Sequence, residues 1–482
     1  MSLPPKPLAL FRAGNSLLTQ GRAAEALADF DAALQATGPH ADILNSRGIA
    51  LRILGRLDEA VQAFDMALAL RPDNALVHAN RGAVLTDLGR HAEAIESLDI
   101  AIRLQPDNAA SWSNSATALR EVDRFEDALS GYAKALALVP AYPDALIGRG
   151  LALMDLKRLD AAKADFARAL ALQPDHPKAH LNAAMCALLA GDLADGFAGY
   201  EWRWRNPPNS TWVRDFAQPL WLGREDITGK TLLLHAEQGM GDTIQFCRYA
   251  MAAADRGARV ILEVQRPLQA LLSTLEGPAA VIARGDALPA FDIHCPLMSL
   301  PLAFGTAPAP IPYLSADPAR AADWAGRLGP GPRVGLAWGG NPALKNDRHR
   351  SIPLHRFAPL IAGGMTFVSL QKDLRPGDGA LIGQWENFAH FGDDLHDFAE
   401  TAALINALDV VVAVDTAVAH LAGAMGKTVY ILLPDIGVDW RWMTARADSP
   451  WYPTARLLRQ PTAGDWDSVI ARLGEELGRA LQ

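Results

Sequence analysis

Three loops concentrate the side chains that could do chemistry. His-Ala-Glu-Gln-Gly-Met-Gly-Asp (235–242) brings two glycines, Gly239 and Gly241, and then a carboxylate, Asp242. Trp-Gly-Gly-Asn (338–341) carries Gly340 and Asn341 and leads to three cations, Lys345, Arg348 and Arg350. Val-Asp-Thr-Ala-Val-Ala-His (414–420) supplies Asp415, Thr416 and His420. Each loop follows an apolar run. The first and third also open helical stretches, whose free N–H groups and dipole favour an anion. Glycine frees the backbone at such turns, a guanidinium or ammonium group suits a diphosphate, and Asp242 sits at the mouth of the expected cleft. All three loops therefore favour a phosphorylated ligand. Structural roles compete at each position: Asp242, Asp415 and Thr416 can cap helices, Lys345, Arg348 and Arg350 can form a solvated charged loop, and His420 can be a packed histidine. Trp440 and Trp442, in the run after the last core strand, suit packing or the wall of a binding site.

Look-alike motifs fail on counting. Gly-Met-Gly-Asp-Thr-Ile places Ile244 where a dinucleotide fingerprint needs its third glycine, and Gly-Ala-Met-Gly-Lys-Thr has Leu421 where a Walker loop needs its first. The Asp-x-Asp triplets that could hold a metal–nucleotide are Asp29-Phe-Asp31, inside a repeat helix, and Asp465-Trp-Asp467, near the chain end, so no metal is expected. Three cysteines, Cys186, Cys247 and Cys295, are too few for a disulfide framework or a zinc site. A net charge of −9 without a run of basic residues argues against nucleic acid. The most apolar segment is broken by Asp415, His420 and Lys427 before it reaches the ~20 residues of a membrane span. A reducing, cytoplasmic setting is the expectation.

The elements that must position the loops fall into two kinds. A chain of 482 residues exceeds one ordinary core. Its first part repeats every 34 residues: Gly14, Gly48, Gly82, Ala116 and Gly150 share one position, Ala26, Ala60, Ala94, Ala128 and Ala162 another, and Phe30, Phe64, Leu98, Tyr132 and Phe166 a third. Small residues let paired helices approach, the bulky one fills the gap, and Pro72, Pro106, Pro140 and Pro174 end each pair. A sixth, atypical unit drifts into Gly-Tyr-Glu-Trp-Arg-Trp-Arg, whose two tryptophans suit a seal at the end of the array. An α-solenoid over 1–208 follows, with a groove for a protein partner in which Asn45, Asn80, Asn114, Arg47, Arg81 and Arg149 are the polar candidates.

Of twelve tryptophans only Trp112 precedes residue 200, and beyond it short β-branched runs alternate with helical stretches. One series runs over 231–296 and a second over 333–433, on either side of a Pro-rich stretch at 305–318. Two α/β domains with parallel sheets are expected, 209–318 and 319–482, with the loops above at the carboxyl ends of their strands.

The 34-residue pattern resembles the tetratricopeptide repeat. The Gly-Met-Gly-Asp loop, the Gly-Asn…Lys loop and Asp-Thr-x-x-x-His over roughly 229–460 resemble the heptosyltransferase-like glycosyltransferases of GT-B fold, two Rossmann-like halves around a cleft. The whole layout is similar to O-linked N-acetylglucosamine transferase and to bacterial flagellin glycosyltransferases. That resemblance implies transfer of a sugar from a nucleotide-sugar to an acceptor without metal or other cofactor, the acceptor being a Ser or Thr hydroxyl of a protein recruited by the repeats. It assigns Asp242 as general base and Gly239 and Gly241 to the acceptor loop. Gly340, Asn341, Lys345, Arg348, Asp415, Thr416 and His420 fall on the donor side. Ala417 departs from the pattern, where the family often has glycine. The competing expectation is a repeat scaffold or adaptor whose α/β part is catalytically idle or senses a nucleotide-sugar.

Overall fold

The computed structural model describes residues 4–206, 213–305, 311–329 and 331–481. They form two compact units that divide between Ala183 and Ala184. The boundary expected at 208, like the middle of the Pro-rich stretch at 306–310, lies outside the described residues. Arg203 shows why residues short of 208 count with the second unit: it is buried there against Glu237 and Ser299.

The first unit is an array of antiparallel helix pairs, such as Ala41–Ile53 with Leu57–Leu70 and Ala75–Asp87 with His91–Leu104. Asn74 and Asn108 cap their helices by accepting from Val77 N at 3.2 Å and Ser111 N at 3.1 Å. The aromatic or leucine of each pair is buried against the small residue of its partner helix. A Cβ on Gly48 would stand 2.6 Å from the Phe64 ring. The fourth unit reaches the same density differently: with Ala116 at the small position, Gly131 supplies the clearance, and the Tyr132 ring lies against Gly148 instead. A Gly48→Ala chain is therefore expected to lose about 1–3 kcal/mol of repeat stability through overpacking. Urea unfolding followed by far-ultraviolet circular dichroism measures this, and an unchanged midpoint would mean that the Phe64 ring moves aside freely.

The polar groove candidates divide. Asn80 Nδ2 donates to Asn45 Oδ1 at 2.9 Å, so two successive first helices share an asparagine contact. The three arginines are engaged within the array: Arg47 with Asp31, Arg81 with Asp65 and Arg149 with Asp165, each at 2.7 Å.

The second unit contains two wholly parallel sheets. The first comprises β1 (Thr231–His235), β2 (Arg259–Val264), β3 (Pro278–Ala283) and β4 (Ile293–Pro296), in the order β3-β2-β1-β4. The second comprises β5 (Arg333–Ala337), β6 (Thr366–Ser369), β7 (Phe388–Ala389), β8 (Val410–Val414), β9 (Val429–Leu433) and β10 (Ala455–Arg459), in the order β10-β9-β8-β5-β6-β7. Their strands are near-continuous apolar runs because helices cover both faces. In each sheet the first strand is interior and the chain order reverses beside it, so the carboxyl ends of β1 and β5 are where open α/β sheets place a ligand. The helix Met240–Phe246 after β1 packs on the helix Ala417–Ala424 after β8. Gly241 permits this: a Cβ there would lie 2.8 Å from the His420 ring and 3.5 Å from Ala417 Cα.

Candidate functional site

The three loops converge where these two helices meet. Asp242, on the third residue of its helix, accepts from Gly239 N at 2.8 Å and so caps that helix. Its other oxygen accepts from Arg441 Nη2. Burial pushes the Asp242 pKa up; Asp439 adds to this and Arg441 opposes it. The carboxylate expected to take a proton from an acceptor is thus held in an ion pair in this state.

Arg441 organises the junction. Its Nη1 donates to both Asp439 oxygens at 3.0 and 3.2 Å, its Nε donates to Gln245 Oε1, and its carbonyl accepts from Trp451 Nε1 at 3.0 Å. The guanidinium also lies 4.3 Å over the Trp440 ring. Arg441 sits on the segment after β9, whereas Asp242 and Gln245 belong to the helix after β1, so one buried cation ties the two α/β halves together.

In the loop after β5, Gly340 N donates to Ser351 Oγ at 2.9 Å, and Ser351 Oγ donates to Asp347 Oδ1 at 2.8 Å. A Cβ on Gly340 would come within 2.6 Å of Arg350 and Asp347, which explains glycine there. Burial disfavours the charged form of Asp347, but bonds from Ser351 and Arg375 outweigh it and hold the carboxyl below its ordinary range. Asn341 closes its own turn by accepting from Ala343 N at 3.0 Å. Lys345 and Arg348 are exposed. The cation that reaches β8 is Arg350, whose Nη1 donates to the Asp415 carbonyl at 3.1 Å.

Asp415 ends β8. Burial and the nearby charge of Asp439 push its pKa up to about 6. The Trp442 indole N–H offsets part of that shift without closing a well-formed hydrogen bond. Thr416 stands at the start of the following helix but caps nothing, and its hydroxyl is buried without a partner among the described residues. Gln245 Nε2 and Trp442 Nε1 are likewise buried and unpartnered there. His420 is packed: its Nδ1 meets Tyr452 Oη at 2.9 Å and its ring stacks on Trp442 at 5.3 Å. Burial, then Arg441 and Arg248, hold it well below its ordinary pKa, so it is neutral and offers no charge to an anion. Trp440 packs against Phe197 and Trp451.

Sequence spacing missed Arg441, Asp439, Gln245 and Glu237. The available signal was the run Asp-Trp-Arg-Trp (439–442), which places a charged pair between tryptophans at the end of a core strand. Glu237 lies five residues before Asp242, in the same loop. Arg203 Nη2 donates to its two oxygens at 3.0 and 3.2 Å and to Ser299 Oγ at 2.8 Å, while Arg203 Nη1 reaches Glu201. Burial pushes Glu237 up to about 7 against the pull of Arg203. In the expected tryptophan seal the arginine is therefore the buried key, with Trp204 4.2 Å over its guanidinium.

Residues 11–75, 67–109, 80–145, 113–162 and 147–209 match the tetratricopeptide repeat family, so the helical array is built of tetratricopeptide repeats. Protein FlbA of Caulobacter vibrioides is 30% identical over 327 residues, 61% of this chain and 54% of that protein. The share is longer than the repeat-matched interval, so the likeness reaches beyond the array. The chain spans about half the length of this curated relative. Among solved structures, a thermophilic tetratricopeptide-repeat protein of Thermus thermophilus is 21% identical with a TM-score of 0.35, covering 38% of this chain and 99% of its own. MamA of Desulfovibrio magneticus, residues 41 to its end, is 22% identical with a TM-score of 0.33, covering 36% of this chain and 99% of its own.

Proposed function

We propose that the chain is a glycosyltransferase of GT-B type that moves a sugar from a nucleotide-sugar to a Ser or Thr hydroxyl of a protein held by the repeats. The observation that carries this reading is the crevice beside β5 and β8. There Arg350 donates to the carbonyl of Asp415, and the next residue, Thr416, carries a buried hydroxyl without a partner among the described residues at the start of the helix Ala417–Ala424; a cation and an uncapped helix start suit a diphosphate. In the reaction the acceptor oxygen bonds to the anomeric carbon, its proton passes to a carboxylate, and the bond to the diphosphate breaks with its electrons leaving on the nucleotide. Arg350 and the helix start stabilise the charge that develops on the departing group. Asp242 takes the proton once Arg441 turns to the ligand. Supply of positive charge by guanidinium groups is consistent with a transfer that needs no metal.

A second reading, a repeat adaptor whose α/β unit only senses a nucleotide-sugar, is favoured by one observation: Asp242 is already spoken for by Arg441 and Gly239. Calorimetric titration of the intact chain with nucleoside diphosphates and their sugars tests both. Binding of one nucleotide that Arg350→Ala weakens about tenfold or more is expected, as for loss of a charge-assisted hydrogen bond. Transfer to protein from that donor then separates enzyme from sensor. No binding across the panel would end both.

A further inference from the structure

We propose that Asp347 is a positioning residue for the donor diphosphate: it fixes the Arg350 guanidinium at the crevice, an inference that rests on the nucleotide-sugar reading above.

Two anchors on different elements hold that guanidinium. Arg350 Nε pairs with Asp347 Oδ1 at 3.4 Å, one turn back on the short helix Asp347–Arg350 after β5. Its Nη1 donates to the Asp415 carbonyl at the end of β8, at 3.1 Å. Gly340 leaves room for this pose, since a Cβ there would stand 2.6 Å from both Nε and Nη2 of Arg350. The Arg350 side chain keeps 14% of its surface exposed, whereas Asp347 is buried. A ligand can therefore reach the cation, and the carboxylate acts through it.

The carboxylate is itself oriented. Arg375 Nη2 donates to Asp347 Oδ2, and Ser351 Oγ donates to Oδ1 at 2.8 Å. Arg375 Nη2 also donates to Ser351 Oγ at 2.8 Å and to the Gly340 carbonyl at 3.4 Å. With one oxygen claimed by Arg375, the other is left to Ser351 and Arg350. Holding the loop after β5 needs only the bonds to Arg375 and Ser351; the contact with Arg350 is what extends the network to β8. An arginine without such anchors has to be ordered by the ligand itself, at a cost of about three- to tenfold in affinity. A carboxylate near a diphosphate also repels it. The two effects have opposite signs: neutralising Asp347 tightens binding if it is only a neighbouring charge, and weakens binding if it positions Arg350.

The test is calorimetric titration of the full chain with uridine, cytidine, adenosine and guanosine diphosphates. The same titrations are made on Arg350→Gln, Asp347→Asn, Asp347→Glu and the double variant Asp347→Asn with Arg350→Gln, with thermal melts to verify folding. The diphosphate that the parent binds should bind about three- to tenfold weaker in Asp347→Asn. It should also weaken in Asp347→Glu, which keeps the charge but displaces the oxygen. In the double variant the asparagine should cost nothing beyond the loss from Arg350→Gln. Unchanged or tighter binding in folded Asp347→Asn overturns the proposal. So does a loss that adds in full to that of Arg350→Gln, because Asp347 would then act through the loop and not through the cation. If the asparagine variant does not fold, Asp347→Glu carries the test, and unchanged binding there overturns the proposal. Parent binding that Arg350→Gln leaves intact overturns it too, with a nucleotide site still standing, whereas a parent that binds none of the four removes the nucleotide-sugar reading itself.

Discussion

Replacing Arg441 by alanine should destabilise the α/β unit by about 3–5 kcal/mol, the cost of breaking a buried ion pair from one side. Arg441 is 4% exposed and donates to Asp242, Asp439 and Gln245. Without it two carboxylates face one another in a poorly hydrated junction, and Gln245 loses the partner of its carbonyl. The loss falls on the contact between the two sheets rather than on either core, so the transition should broaden as the halves cease to melt together. Tryptophan fluorescence during urea unfolding reads this selectively, because eleven of the twelve tryptophans follow residue 200. Adding Asp242→Asn and Asp439→Asn to Arg441→Ala should restore part of the loss, since no charge is then left stranded. A shift below about 1 kcal/mol, the value of an exposed pair, would mean that water reaches the junction and that Arg441 is no latch.

The features legible in the sequence are those set by local period. The repeat positions recur every 34 residues because each helix pair must solve one packing problem, and the strands of both sheets read as apolar runs because parallel strands are covered on both faces. β10 escaped that reading: Arg456 and Arg459 interrupt a five-residue strand at the sheet edge. The loops were legible as places where glycine is needed, but not why. Gly241 serves a close approach from His420, 179 positions further along the chain, and no local pattern encodes such a neighbour. The same holds for charge. Asp242 meets Arg441 across 199 positions and Arg203 meets Glu237 across 34, so neither carboxylate's state could be read from its own loop. His420 shows the converse, since its spacing from Asp415 suggested a ligand contact while its surroundings, Tyr452 and Trp442, make it a neutral core residue.

Glu237 supplies the second large effect, and its sign is opposite to that of most buried carboxylates that gain an arginine. Burial lifts it to about 7 from 4.5; Arg203 opposes the rise, and Glu201 and Asp242 add to it. Two carboxylates, Glu201 and Glu237, share the single Arg203 guanidinium, so one of them is left without a full counter-charge. In the unfolded chain Glu237 ionises near 4.5, whereas in the folded unit it keeps its proton up to about 7. Between those values the native state binds the proton that the unfolded state has released, so stability falls as pH rises through this window and the loss is complete above it. Glu237→Gln removes the titration while keeping an oxygen for Arg203 Nη2. The variant should therefore gain on the parent chain as pH rises from 5 to 8, by on the order of 3 kcal/mol if the full shift is expressed. Asp415, raised for its own reasons, titrates in both proteins and cancels from the comparison. Urea midpoints by tryptophan fluorescence at the two pH values provide the measurement. A variant less stable than the parent by the same amount at both would show Glu237 ionised throughout, with Arg203 stabilising the charge more than burial opposes it.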